Sequence, residues 1–131
     1  EATKILKNNP LCKNSILHCV SAYPTNYRDS NLISINFLEK KYGDFLVGLS
    51  DHTNDIKVPC YAVALGARII EKHYMIDNDM VCIDKSVSIT EKQMKQLVKE
   101  IRYVETILGN EKRSFLESEK DIIKYRRKNV L

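Results

Sequence analysis

Apolar residues gather in three short runs along this chain: Ser15 to Val20 (SILHCV), Phe45 to Leu49 (FLVGL) and Ala67 to Ile70 (ARII). Each has the length of a strand buried on both faces. Each gives way to a polar cluster, respectively Ser21-Ala22-Tyr23, Ser50-Asp51-His52 and Glu71-Lys72-His73. Between the runs the spacing turns helical. Leu32, Ile35 and Leu38 recur every three residues between Asn31 and Tyr42, and Gly43 supplies a stop. From Val58 to Gly66 the residues are small and apolar, and Pro59 suits the first turn of a helix, where its missing N–H costs nothing. The clearest helix follows. Thr90 and Gln93 form a capping box, and Met94, Leu97, Val98, Ile101, Val104 and Leu108 make one apolar stripe that Gly109 ends. Residues 1 to 8 read as the tail of a further helix, and residues 110 to 131 as a charged extension or the start of a linker.

The order strand, helix, strand, helix, strand, helix predicts an α/β fold with parallel strands and right-handed crossovers. Three strands leave both sheet edges open. The units recur about every 25 to 30 residues, a spacing that suits a β/α barrel. Three such units are less than half of an eight-stranded barrel, which typically needs about 250 residues.

Composition narrows the function classes. With 131 residues the chain fits one domain, and an apolar fraction of 44% is enough for a core. A net charge of +4 permits an anionic substrate but falls short of a dedicated nucleic-acid binder. The Arg126-Arg127-Lys128 run reads as a solvated charge cluster. No stretch approaches the ~20 apolar residues that span a bilayer. The start, Glu1-Ala2-Thr3-Lys4, lacks both a signal-peptide pattern and an initiator Met, so a processed chain or part of a longer one is expected. None of the four cysteines, Cys12, Cys19, Cys60 and Cys82, stands in a C-x-x-C pair. Buried reduced thiols and a cytoplasmic location are the expectation. A zinc site from His52, Cys60, His73 and Cys82 would have spacings unlike the common zinc motifs.

In parallel α/β folds the reactive groups lie at the carboxyl ends of the strands. That rule brings Tyr23, Ser50, His52, Glu71 and His73 to one face. Two neutral imidazoles at neighbouring strand ends can hold a divalent metal in an open site. Asp51 or Glu71 could then orient a histidine or a bound water. His18 lies inside the first run and reads as a hydrogen-bonded structural histidine. Asp84 sits in a loop of mixed polarity, and Ser88 reads as a residue at the start of a helix.

Several motifs in order, LHCVSAYPTNYRDSNL, VGLSDHT, AVALGARIIEKHY and SITEKQMKQLVKEIRYVETILG, resemble the sialic acid synthases, the group that includes N-acetylneuraminate, legionaminate and pseudaminate synthases. The resemblance spans roughly residues 15 to 127. It implies a (β/α)8 TIM barrel of which residues 1–109 are the last three βα units. It implies condensation of phosphoenolpyruvate with an N-acetylated hexosamine such as N-acetylmannosamine, with release of phosphate. It implies a divalent metal, usually Mn2+, with Mg2+, Co2+ or Zn2+ as alternatives, and a homodimer that contacts neither nucleic acid nor membrane. By position, the resemblance makes His52 and His73 the metal ligands and Glu71 the catalytic acid beside the metal and its water. It places Tyr23 and Asp84 on the amino sugar, and Ser50 and Ser21 on phosphoenolpyruvate.

The chain departs from the family where members commonly carry Gly-Pro-Asp-His. Here Cys82-Ile83-Asp84-Lys85 keeps the Asp but loses the turn-forming pair. Phosphoenolpyruvate-binding lysines from earlier strands are not among these residues, so this length alone is expected to be inactive. The competing expectation is a non-catalytic α/β module that pairs through its open sheet edges.

Overall fold

A computed structural model describes residues 1–7, 12–112 and 114–125; the Arg126-Arg127-Lys128 run lies outside them. Helix α1 (Ala2–Lys7) precedes strand β1 (Ser15–Cys19). Helix α2 (Ser34–Lys41), strand β2 (Leu46–Asp51), helix α3 (Lys57–Ala64) and strand β3 (Ile69–Lys72) follow. Two short strands, β4 (Tyr74–Met75) and β5 (Ile89–Thr90), come before the long helix α4 (Glu91–Leu108). Strands β1, β2 and β3 form a parallel sheet in sequence order, and β4 pairs with β5 in parallel apart from it. The expected alternation is present. The β4–β5 pair was not expected, because two-residue strands carry no readable periodicity.

The helices start where local chemistry allows. Asp55 accepts hydrogen bonds from the backbone N–H groups of Lys57 and Val58, at 2.8 and 3.4 Å, and so satisfies donors at the start of α3. Thr90 and Gln93 form the reciprocal capping box of α4, and Gly109 ends that helix at a φ of +62°. On α4, Leu97 is buried and Met94, Ile101 and Val104 pack beside it against Cys60, Ile56 and Ile89. Val98 and Leu108 are exposed instead, so the stripe that contacts α3 is narrower than the sequence pattern suggested.

The sheet is covered on one face only. Val47, Leu49 and Ile70 face α2 and α3, and pack with Ile35, Val58, Ala62 and Ala67. The opposite face carries Leu17, Gly48, Ser50, Ile69 and Glu71, and of these only Gly48 and Ser50 are buried. The expectation of strands buried on both faces therefore holds for β2, the central strand, and not for β1 or β3.

Gly48 is the tightest point of the sheet. A Cβ at this position would lie 2.3 Å from the Ile69 carbonyl oxygen and 2.6 Å from Leu17 Cδ2. Only glycine lets Leu17 and Ile69 close over the central strand. Gly48→Ala is expected to destabilise the chain by about 1–3 kcal/mol, read as a lowered denaturation midpoint.

The thiols differ from expectation. Cys60 alone is buried; Cys12 and Cys19 are exposed, Cys82 is half-buried, and all four are free. The Cys60 thiol donates to the Ile56 carbonyl and packs in the seam between α3 and α4, away from the strand ends. Burial pushes its pKa up, and the Glu100 and Asp55 carboxylates add to the effect. The folded chain thus holds the Cys60 proton at a pH where the unfolded chain has released it. Stability from this group is complete below the ordinary thiol value and declines as pH climbs through the raised one. A thiol reagent at mildly alkaline pH is expected to modify Cys12 and Cys19 quickly, and Cys60 only upon unfolding, as mass spectrometry of digested peptides would read.

Candidate functional site

The parallel register of β2 with β3 sets out three successive pairs. Ser50 is opposite Glu71 and Asp51 opposite Lys72; His52 and His73 follow one residue on. Side chains alternate across a strand, so Ser50 and Glu71 share the open face, Asp51 and Lys72 the helix-covered face, and the histidines the open face again. The Ser50 hydroxyl donates to Glu71 Oε1 at 2.5 Å. The two imidazole rings lie 5.2 Å apart between centroids, tilted by 52°.

His52 is held on both sides. Its Nδ1 lies 2.9 Å from the Val20 carbonyl oxygen, and its own carbonyl accepts from Thr25 N–H at 2.9 Å. Thr25 is itself fixed, its hydroxyl donating to the Ala22 carbonyl at 2.9 Å. The segment after β1 therefore clamps His52 from side chain and backbone together. The clamp carries Tyr23, whose peptide bond to Pro24 is cis, onto the histidines. Its ring centroid is 4.1 Å from that of His52 and 5.7 Å from that of His73, edge-on to the latter.

A carbonyl can only accept, so Nδ1 of His52 carries a proton, and in the neutral tautomer with that proton Nε2 presents a lone pair. His73 points Nδ1 toward Asp84, at 3.6 Å from Oδ2. This leaves its Nε2 open as well. Both rings thus have the donor atom that a metal takes, with the other nitrogen turned to an oxygen. Among the described residues, no group of three or more His, Cys, Asp or Glu side chains is arranged to hold a metal ion. The pair fits an open site in which substrate oxygens and water fill the remaining positions.

The structure gathers the sequence-predicted residues as follows. Tyr23, His52, His73 and Asp84 are linked by the contacts above, and Ser50 and Glu71 form a second pair two residues earlier on the same strands. Ser21 stands at the same strand-end level, its hydroxyl 4.0 Å from the Cys19 thiol, which lies 3.9 Å from His52 Nδ1. His18 points the other way and bonds the Ser30 carbonyl at 2.8 Å, as expected of a structural histidine. Asp51 makes no direct contact with a histidine. Its carboxylate is on the helix-covered face, paired with Lys72 at 2.8 Å and accepting from Thr53. Ser88 does not begin α4; its hydroxyl donates to the Asp84 carbonyl at 2.8 Å and closes the 3-10 turn Ile83–Val87.

Two contributors were missed from sequence. The Val20 carbonyl has no side-chain signature to reveal it. Lys72 had one: the opposite charges of Asp51 and Lys72 immediately precede the two histidines, which in a parallel register makes them neighbours.

The profile of the NeuB family matches residues 1–113. An uncharacterized protein of Methanocaldococcus jannaschii is 40% identical over 131 residues, covering 100% of this chain and 39% of that protein. The N,N'-diacetyllegionaminic acid synthase of Legionella pneumophila is 43% identical over 95 residues, 72% of this chain and 26% of its own length. Among solved structures, the N-acetylneuraminic acid synthetase of Leptospira borgpetersenii superposes with a TM-score of 0.77 at 45% identity, covering 84% of this chain and 38% of that one. The chain thus spans between 26% and 39% of the length of these relatives. Among the described residues, no helix is long and apolar enough to cross a membrane.

With 15N-labelled protein, neutral His52 is expected to show the Nδ1–H tautomer in a multiple-bond nitrogen–proton correlation spectrum. An Nε2–H pattern would remove the lone pair from the open face.

Proposed function

The chain belongs to the NeuB family, and on that premise we propose that it is the carboxyl-terminal part of a synthase barrel that joins phosphoenolpyruvate to an N-acetylated hexosamine. Residues 1–109 are the barrel portion and 110–131 the extension in this reading. The reaction forms a carbon–carbon bond between the enol carbon and the sugar's aldehyde carbon. Water adds, phosphate leaves, and a nonulosonic (sialic-type) acid results. The observation that carries the reading is the pair of imidazoles, with centroids 5.2 Å apart at the ends of adjacent parallel strands, two residues beyond the hydrogen-bonded Ser50–Glu71 pair.

His52 and His73 would hold a divalent metal, with Mn2+ the leading choice, through their Nε2 atoms. Such an ion supplies Lewis-acid polarisation of the sugar's aldehyde oxygen. The chain's own side chains do the rest. Val20 and Asp84 keep the Nδ1 edges of the two rings turned away from the substrate. Tyr23 lies across both rings and offers its phenol to the amino sugar. Asp84, with its carboxylate half-exposed, has an oxygen left for a sugar hydroxyl. Glu71 accepts the Ser50 hydroxyl's hydrogen bond on Oε1 and leaves Oε2 to accept a proton from water. Ser50 and Ser21 stand on the phosphoenolpyruvate side. The lysines that would neutralise its phosphate come from outside these residues, and a homodimer is the expected assembly.

The exposed face of β1 and β3 favours a second reading, a non-catalytic module that pairs through its open sheet. One assay separates the two. In the complete gene product, phosphate release from phosphoenolpyruvate is expected to need both N-acetylmannosamine and Mn2+, and to fall to background in His52→Ala. Release with a diacetamido hexose alone would change the sugar and keep the enzyme. No release with any amino sugar would favour the pairing module.

A further inference from the structure

Behind the histidines, on the helix-covered face, lies a closed ionic cluster. Lys72 Nζ and Asp51 Oδ2 are 2.8 Å apart, and their side chains are only 2% and 3% exposed. Lys72 also donates to the Thr53 carbonyl. Asp51 accepts from Thr53 N–H at 3.1 Å and from the Thr53 hydroxyl at 2.9 Å. Among the described residues, the one buried side-chain polar atom without a partner is Ser30 Oγ, so every buried polar side-chain atom of this cluster has at least one partner. The residues it joins are those on either side of His52 and the one before His73.

A buried ion pair is a weak source of stability, because desolvation cancels most of the attraction, and a packed apolar pair often does as well. What charge and hydrogen bonds add is geometry. The Lys72 ammonium ties the end of β3 to Asp51, the last residue of β2, and to Thr53 just beyond it, which together bracket His52. The pair sits in register between Ser50–Glu71 and His52–His73. We propose that Asp51, Lys72 and Thr53 are positioning residues, a cross-strand lock that sets the separation and aim of the two histidines toward a divalent cation. The inference rests on the reading of His52 and His73 as metal ligands.

The test is Co2+ binding to the full chain, followed by calorimetry and by the visible absorption of the bound ion. Asp51→Asn combined with Lys72→Met removes the cross-strand link without stranding a buried charge. That double variant is expected to keep its circular dichroism spectrum and cooperative melting. Its Co2+ affinity should fall about 10- to 100-fold, in the range lost when groups that orient a metal ligand are removed, and its absorption bands should change. Thr53→Val removes only the hydroxyl link and should lower affinity a few-fold, with Thr53→Ser restoring it; this comparison decides the matter should the double variant fold poorly. A folded variant with wild-type affinity and spectrum would overturn the lock and leave the metal site standing. Absence of Co2+ binding in the wild-type chain, or binding that survives His52→Ala with His73→Ala, would overturn the metal reading and the lock together.

Discussion

The register between β2 and β3 is the constraint on which the rest of the structure depends. A slip of one residue would exchange the faces of the sheet. The imidazoles would then point at α2 and α3, and the Asp51 and Lys72 charges would face the open side. Gly48 helps to exclude such a slip. It lies opposite Ile69 in β3 and Leu17 in β1, where a side chain would strike the Ile69 carbonyl at 2.3 Å. A residue other than glycine in that gap would force the strands apart two positions below Ser50. The site therefore depends on a close approach of backbones one layer beneath it, as well as on the residues that line it.

The same register divides polar chemistry between two faces with different tolerances. On the open face Ser50 and His52 are buried, but Glu71 is exposed and His73 partly so, and these two can exchange a partner for a ligand. On the covered face Asp51, Lys72 and Thr53 are closed off and bond only one another. A buried charge that lost its partner there would find no water to replace it. That asymmetry makes the covered cluster rigid and leaves the open one adaptable.

Much of this was legible in the sequence, for identifiable reasons. The strand runs were found because apolar β-rich stretches ended in polar clusters, and α4 because its capping box and its glycine stop are local signals. Seven candidate residues were named from strand-end placement and motif resemblance, and they lie near the carboxyl ends of the three strands. What was missed depends on pairing rather than on residue type. The one-sided burial of β1 and β3 follows from what neighbours them in space. The role of Asp51 was misjudged because an acid before a histidine invites a local partnership, whereas strand alternation turns the two side chains to opposite faces. Strands β4 and β5 were too short to show any period.

The site's two halves also differ in mechanical support, and this bears on where its specificity can vary. Ser50 and Glu71 stand on hydrogen-bonded strands, and His52 and His73 directly follow them, backed by the core of Val47, Leu49 and Ile70. Asp84 stands in a 3-10 turn that the fully buried Val87 anchors at its far end, while Val81 and Ile83 on the near side are almost fully exposed. The exposed side is also where Cys82-Ile83 stands in place of the Gly-Pro of the resembled motif. An exposed stretch of loop can change sequence at small cost to stability, while a strand end cannot. In the proposed enzyme, the metal-holding half would stay constant and the sugar-facing half would absorb change. In that enzyme the altered Cys82-Ile83 pair would bear on which sugar is accepted, at the end of the loop where packing resists change least.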